Sequence, residues 1–86
     1  MHPRSQVLMT APQLGQLLLS TRTARKMSQA VLASSVGLSQ SRVSHLEQHA
    51  NEISVEQLMA WCAALELELS IAPRGQNTEP DTEAGW

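Results

Sequence analysis

Apolar side chains recur every three or four residues in four stretches of the chain, which is the spacing of one helix face. Each stretch is preceded by a Ser or Thr that can cap a helix, and the second is followed by a glycine suited to a left-handed stop. The pattern therefore predicts four helices, at about residues 11–25, Ser28 to Gly37, Ser39 to Gln48 and Ser54 to Leu65, with His49–Glu52 as a polar loop.

The same spacing predicts which side chains face the core. In the third helix Val43 and Leu46 point inward. In the fourth helix, Met59 is predicted as core filler and Cys62 as a small buried hydrophobe. The full stripe predicted for the fourth helix is Val55, Leu58, Met59, Cys62 and Leu65.

After the fourth helix the hydrophobic period changes from helical spacing to strict alternation. Leu67, Leu69 and Ile71 alternate with polar residues up to Pro73, which predicts a strand. A lone strand leaves its backbone N–H and C=O groups unpaired, so we expect it to pair across a homodimer. The alternative is a frayed extension of the fourth helix.

The expected organisation follows from these elements. Residues 1–9 form a flexible arm, 10–66 a four-helix domain, 67–72 a dimerisation strand and 73–86 a disordered acidic tail. The fold class is mainly α. Chain length and an apolar content of 42% with only two aromatic residues fit one small aliphatic core.

Composition narrows the class of function. No phosphate-binding glycine loop, nucleophile elbow or catalytic triad is present, so neither an enzyme nor a cofactor is predicted. A single cysteine and the absence of a long apolar run favour a cytoplasmic protein. His45 and His49 are four residues apart near Glu52, but a metal site is the less favoured interpretation.

Charge is segregated along the chain. Residues 1–46 carry five cations and no acid, whereas residues 47–86 carry eight acids and one cation, giving +5 and −7. This polarity favours a cationic face for a polyanion, although chance segregation of few charges is the alternative.

The second and third helices are short and joined by a glycine-containing turn, as in a helix-turn-helix. The outward positions of the third helix carry compact hydrogen-bonding side chains, which suit contact with base edges in a major groove. The alternative is that this face of the third helix is an ordinary solvent-exposed polar surface without a DNA contact. These outward residues are Gln40, Ser41, Ser44 and His45.

The pattern from Leu14 to Leu65 resembles the lambda-repressor-like helix-turn-helix domains of the Cro and XRE type. The resemblance implies an ion pair between Arg22 and Glu47. It implies base contacts from the outward residues, a phosphate contact from Gln29, and DNA-facing positions for Ser39, Arg42, Arg25 and Lys26. The chain departs from the family where Lys26 and Glu66 replace common glycines and where the loop after the third helix lacks a basic residue.

The tail narrows the resemblance to HipB-type antitoxins. An acidic segment with a bare Trp86 is similar to theirs, and Trp is favoured at binding hot spots. The resemblance implies a bacterial, nucleoid-associated homodimer that represses its own operon at a palindromic operator and binds a HipA-type kinase toxin through Trp86. The alternatives are a stand-alone repressor and a protein-interaction module without DNA affinity.

Overall fold

The computed structural model describes residues 6–74, which form four α-helices and one short 3₁₀ helix. The prediction of four helices is confirmed, and the first of them ends one residue earlier than expected. The elements in chain order are α1 (Ala11–Ala24), α2 (Gln29–Val36), α3 (Gln40–Gln48), the 3₁₀ helix (Ala50–Glu52) and α4 (Val55–Leu65).

Each α-helix begins at a hydroxyl side chain that accepts a hydrogen bond from the backbone N–H three residues later. In α1 and α4 a glutamine three residues after the cap completes a reciprocal capping box. Its side-chain carbonyl oxygen accepts a hydrogen bond from the backbone N–H of the cap residue. The four capping residues are Thr10, Ser28, Ser39 and Ser54.

The core lies where α3 packs against α1 and α2, and where α4 packs against α2. Its fully buried side chains are aliphatic apart from one indole, as the composition predicted. The buried indole nitrogen of Trp61 has no hydrogen-bond partner among residues 6–74. The largest fully buried side chains are Trp61, Leu18, Leu32, Leu46, Leu65 and Val43.

The predicted buried face of α4 was partly wrong. Val55 is 74% exposed and Met59 is 56% exposed, so neither is core. The buried arc is centred further round the helix, on Trp61 and Leu65, with Cys62 at its edge. Because residues advance by about 100° each, this arc leaves Val55 and Met59 beyond its border.

The connection after α3 is more ordered than the predicted polar loop. Residues Ala50–Glu52 form a 3₁₀ helix, and Ala50 is buried. Gly15 of α1 approaches this region so closely that a Cβ atom there would lie 2.6 Å from the backbone oxygen of Glu47. Only glycine permits this contact between α1 and the end of α3 without displacement.

Residues 67–73 form neither helix nor strand in the single chain. The N–H of Leu67 donates to the carbonyl oxygen of Cys62 at 2.8 Å, and the Leu67 side chain packs against the core. Leu69 is 42% exposed and Ile71 is 95% exposed. The predicted strand is therefore not observed here, because the described residues hold no second strand to pair with it, and pairing across a homodimer stays a prediction.

Two other expectations concern the ends of the chain. Residues 6–9 of the predicted arm form no regular secondary structure. The remainder of the arm, and the tail with Trp86, lie outside the described residues. Within residues 6–74, no helix has the length and apolar character needed to cross a membrane.

Candidate nucleic-acid interface

The turn between α2 and α3 is built by one residue in the left-handed region. Gly37 has φ 75°, and its N–H donates to the carbonyl oxygen of Ala33. The next N–H, that of Leu38, donates to the same carbonyl at 2.9 Å, and the Leu38 side chain packs against the core. Ser39 then caps α3 at once, so the geometry between the two helices is fixed by a three-residue turn.

The two sides of α3 differ in exposure as the sequence predicted. Val43 and Leu46 are fully buried, which anchors the helix on α1 and α2. The candidate base-contacting residues occupy the opposite side, within an arc of about 140°. Of these, Gln40 and Ser41 are exposed, whereas Ser44 and His45 are half-buried.

Two other predicted DNA-facing residues lie at the start of α3. The hydroxyl of Ser39 accepts from the backbone N–H of Arg42 at 3.1 Å and lies 3.3 Å from the hydroxyl of Ser41. Capping α3 therefore uses one of the two acceptor positions of the Ser39 hydroxyl oxygen. Arg42 itself is exposed, and its charge lies near the carboxylate of Glu52.

A buried ion pair holds the end of α3 on α1. The Nε of Arg22 donates to Glu47 at 2.6 Å, and its Nη2 donates to the other carboxylate oxygen at 3.3 Å. The remaining Nη1 donates to the carbonyl oxygen of Met27 at 2.8 Å, in the connection between α1 and α2. Both side chains are nearly excluded from solvent, so Glu47 holds α3 in position and is not itself part of the exposed surface.

Gln29 joins this network instead of standing free. Its Nε2 donates to the Glu47 carboxylate at 3.0 Å, and its side chain is half-buried. Gln29 is at the first position of α2, so the hydrogen bond ties the start of α2 to the end of α3. One of its two amide hydrogens is used there, and the other amide hydrogen is left to donate to a phosphate.

The two predicted phosphate-facing cations do not share one environment. Arg25 pairs with Glu66 at 3.2 Å, beyond the last turn of α4, so the structure places it beside α1 and α4 and not with the α3 residues. Lys26 is exposed with φ 57°, and Glu66 has φ 59°. Both residues that replace family glycines therefore adopt the left-handed conformation that glycine tolerates best.

Two histidines and a glutamate form a cluster at the far end of α3. The His45 and His49 rings stack with centroids 4.3 Å apart and planes inclined by 13°. The Nε2 of His45 lies 2.9 Å from the Glu52 carboxylate, and the Nδ1 of His49 lies 3.1 Å from the His45 carbonyl oxygen. The hydrogen bond with His45 is the main reason that the pKa of Glu52 is lowered below its ordinary value.

The sequence showed the spacing of the two histidines, but not the stacking of their rings or the contact of His45 with Glu52. In the part of the chain that the structure describes, no three His, Cys, Asp or Glu side chains are arranged to hold a metal ion.

The comparison with known families agrees with this geometry. The profile of the helix-turn-helix family matches residues 18–71, which is more than half of the chain. The chain belongs to the helix-turn-helix family. Its match is to the XRE, lambda-repressor-like type, whose members are DNA-binding transcription regulators. No curated protein and no solved structure matches the chain.

In this helix-turn-helix protein, α2 and α3 form the motif, and the core residues of both lie inside the matched range.

Proposed function

We propose that this helix-turn-helix protein represses transcription as a homodimer that places one α3 in the major groove of each half of a palindromic operator. The observation that supports this best is the construction of α3. Its inner side is locked by Val43, Leu46 and the Glu47 ion pair, and its outer side offers short polar side chains. A helix held this rigidly can present hydrogen-bonding groups to base edges without losing much conformational entropy.

Recognition of DNA bases is assigned to Gln40, Ser41, Ser44 and His45. Gln40 is exposed in the first turn of α3, and a glutamine amide can pair with the N6 and N7 atoms of adenine. Ser41 and Ser44 can donate to or accept from several bases. Contacts to phosphate are assigned to Gln29, Arg42 and Lys26, whereas Arg25 must first leave Glu66.

Selection from a randomised duplex library, followed by affinity measurement, tests the reading surface. We expect Gln40→Ala to lose about 1–3 kcal/mol of the binding free energy that discriminates between bases at one position of the selected site. Gln16→Ala makes the same chemical change on the exposed side of α1 and serves as the control. If the wild-type chain selects no sequence, or if both variants bind as the wild type does, this assignment fails.

The dimer is assigned to residues 67–71. Leu69 and Ile71 are exposed apolar side chains in the single chain, and burying them against a second copy would remove that surface from water. Leu69→Asp places a charge at the proposed interface, whereas Ser70→Asp places the same charge on the alternate side of the segment. Sedimentation should show dissociation in the first variant only. An unchanged dimer in both would place the interface elsewhere.

The finer part of the proposal is an antitoxin role with a HipA-type kinase as partner. It is supported by the resemblance of the whole chain, and most directly by Trp86 among the acidic residues after Pro73. A tryptophan that inserts into a pocket of another protein contributes about 1–3 kcal/mol after the ordering cost. The alternative is a stand-alone repressor, which shares the DNA-reading surface.

Binding measured in parallel for kinase and operator separates the two roles. Removing Trp86 should weaken the kinase complex and leave operator affinity unchanged. Equal losses for both ligands would indicate misfolding, and an unchanged kinase complex would contradict the role of Trp86. Failure of the kinase to bind the full chain favours the stand-alone repressor.

A further inference from the structure

His45 is held on two sides by groups outside the outward surface of α3. Its Nε2 lies 2.9 Å from a carboxylate oxygen of Glu52, the last residue of the 3₁₀ helix. Its ring stacks on that of His49, whose Nδ1 is fixed in turn by the His45 carbonyl oxygen. These two contacts therefore fix the plane of the His45 ring and its rotation about the Cβ–Cγ bond.

This arrangement also determines where the hydrogen of a neutral His45 ring resides. An ionised carboxylate is an acceptor only, so the Nε2 atom must carry the hydrogen and donate it to Glu52. The Nδ1 atom of His45 is then an acceptor, and it makes no hydrogen bond within residues 6–74. By the same argument His49 carries its hydrogen on Nδ1, because a carbonyl oxygen can only accept.

We propose that Glu52 and His49 are positioning residues that make His45 a selective reader of one base, with its Nδ1 accepting a hydrogen bond from the amino group of adenine or cytosine. The inference rests on the proposed DNA-reading role of α3. In the major groove only these two bases present an amino hydrogen, at N6 and N4, whereas thymine and guanine present oxygen acceptors there. Neither Glu52 nor His49 needs to touch DNA.

The carboxylate of Glu52 stays an acceptor in this cluster. The charged and titratable groups near this carboxylate are His45, His49 and Arg42, all of which lower the pKa of Glu52 and keep it ionised as an acceptor.

The test compares base preference at each operator position for the wild type, Glu52→Gln and His45→Ala. A glutamine side chain can accept from or donate to Nε2, so it no longer fixes which ring nitrogen carries the hydrogen. Glu56→Gln is the matched control, because it removes another exposed negative charge, at the start of α4. Circular dichroism verifies that each variant is folded.

We expect the wild type to prefer adenine or cytosine about fivefold or more at one position. His45→Ala and Glu52→Gln should both flatten the preference at that position. Glu56→Gln should keep the preference, even if it raises affinity for all sequences.

Two results separate the failure of this inference from failure of the proposed function. If the wild type binds one sequence selectively but Glu52→Gln retains the same base preference, Glu52 does not position His45 and the inference falls alone. If the wild type shows no base preference at any position, the assignment of α3 as the reading helix falls as well.

Discussion

Removing the buried carboxylate of Glu47 tests how α3 is held in place. In Glu47→Ala, the guanidinium of Arg22 loses both of its carboxylate bonds and keeps only its bond to the Met27 carbonyl. Gln29 loses its acceptor as well. Because the Arg22 side chain is only 10% exposed, water cannot easily replace these partners. Leaving such a charge buried without its partner costs about 3–5 kcal/mol.

That loss is large for a domain of this size, whose total unfolding free energy is about 5–10 kcal/mol. Urea unfolding followed by circular dichroism measures it. With a slope of about 1 kcal/mol per molar urea, the midpoint should fall by roughly 3 M or more. Gln48→Ala, at the next and exposed position of α3, is the control and should stay within about 0.5 kcal/mol of the wild type.

A second variant separates the burial of a charge from the value of the ion pair itself. Arg22→Met combined with Glu47→Leu removes both charges and keeps most of the volume, so its stability should lie within about 1–2 kcal/mol of the wild type. A loss below about 1 kcal/mol in Glu47→Ala, or an equal loss in the single and the double variant, would refute the reasoning.

Three further outcomes are expected from the same unfolding assay. Gly15→Ala should destabilise by about 1–2 kcal/mol despite better helix propensity, because its Cβ would meet the Glu47 backbone oxygen at 2.6 Å; a more stable variant would contradict that contact. Lys26→Gly should stabilise by about 0.5–1 kcal/mol, since φ 57° favours glycine, and an unchanged midpoint would mean that no strain is relieved. The hydrogen bond between Glu52 and His45 lowers the pKa of Glu52 below 4.5. The ionised Glu52 side chain therefore stabilises the folded state fully above pH 4.5, and this contribution is lost as pH falls through the lowered pKa. Glu52→Gln should therefore lose stability at neutral pH and converge with the wild type in acid, whereas a constant difference would rule out this linkage.

The local signals in the sequence were sufficient for the helices of this protein. Hydroxyl caps and a glycine stop act through backbone hydrogen bonds within a few residues, so their effect can be predicted without knowing the fold. The caps Ser28, Ser39 and Ser54 and the stop at Gly37 each act as expected. The same is true of the inward side of α3, where Val43 and Leu46 are the only large apolar residues.

The buried face of α4 could not be predicted in the same way. Leu65 lies on two overlapping stripes at helical spacing there, the predicted one with Val55 and Met59 and another with Trp61. Packing against α2 decides between them, and the structure buries the stripe with the larger side chain. The need for glycine at position 15 likewise depends on the approach of Glu47 from a distant part of the chain.

The sequence of α3 is an incomplete guide to the surface that the helix presents. Its outward residues are visible in the sequence, but their orientation is fixed by side chains from other elements. Arg22 of α1 and Gln29 of α2 hold Glu47, and Glu52 beyond α3 holds His45. If α3 reads DNA as proposed, a change at Arg22 or Glu52 alters DNA affinity or base preference without altering a residue assigned to touch DNA. Contacts inferred from α3 alone would attribute such effects to the wrong side chain.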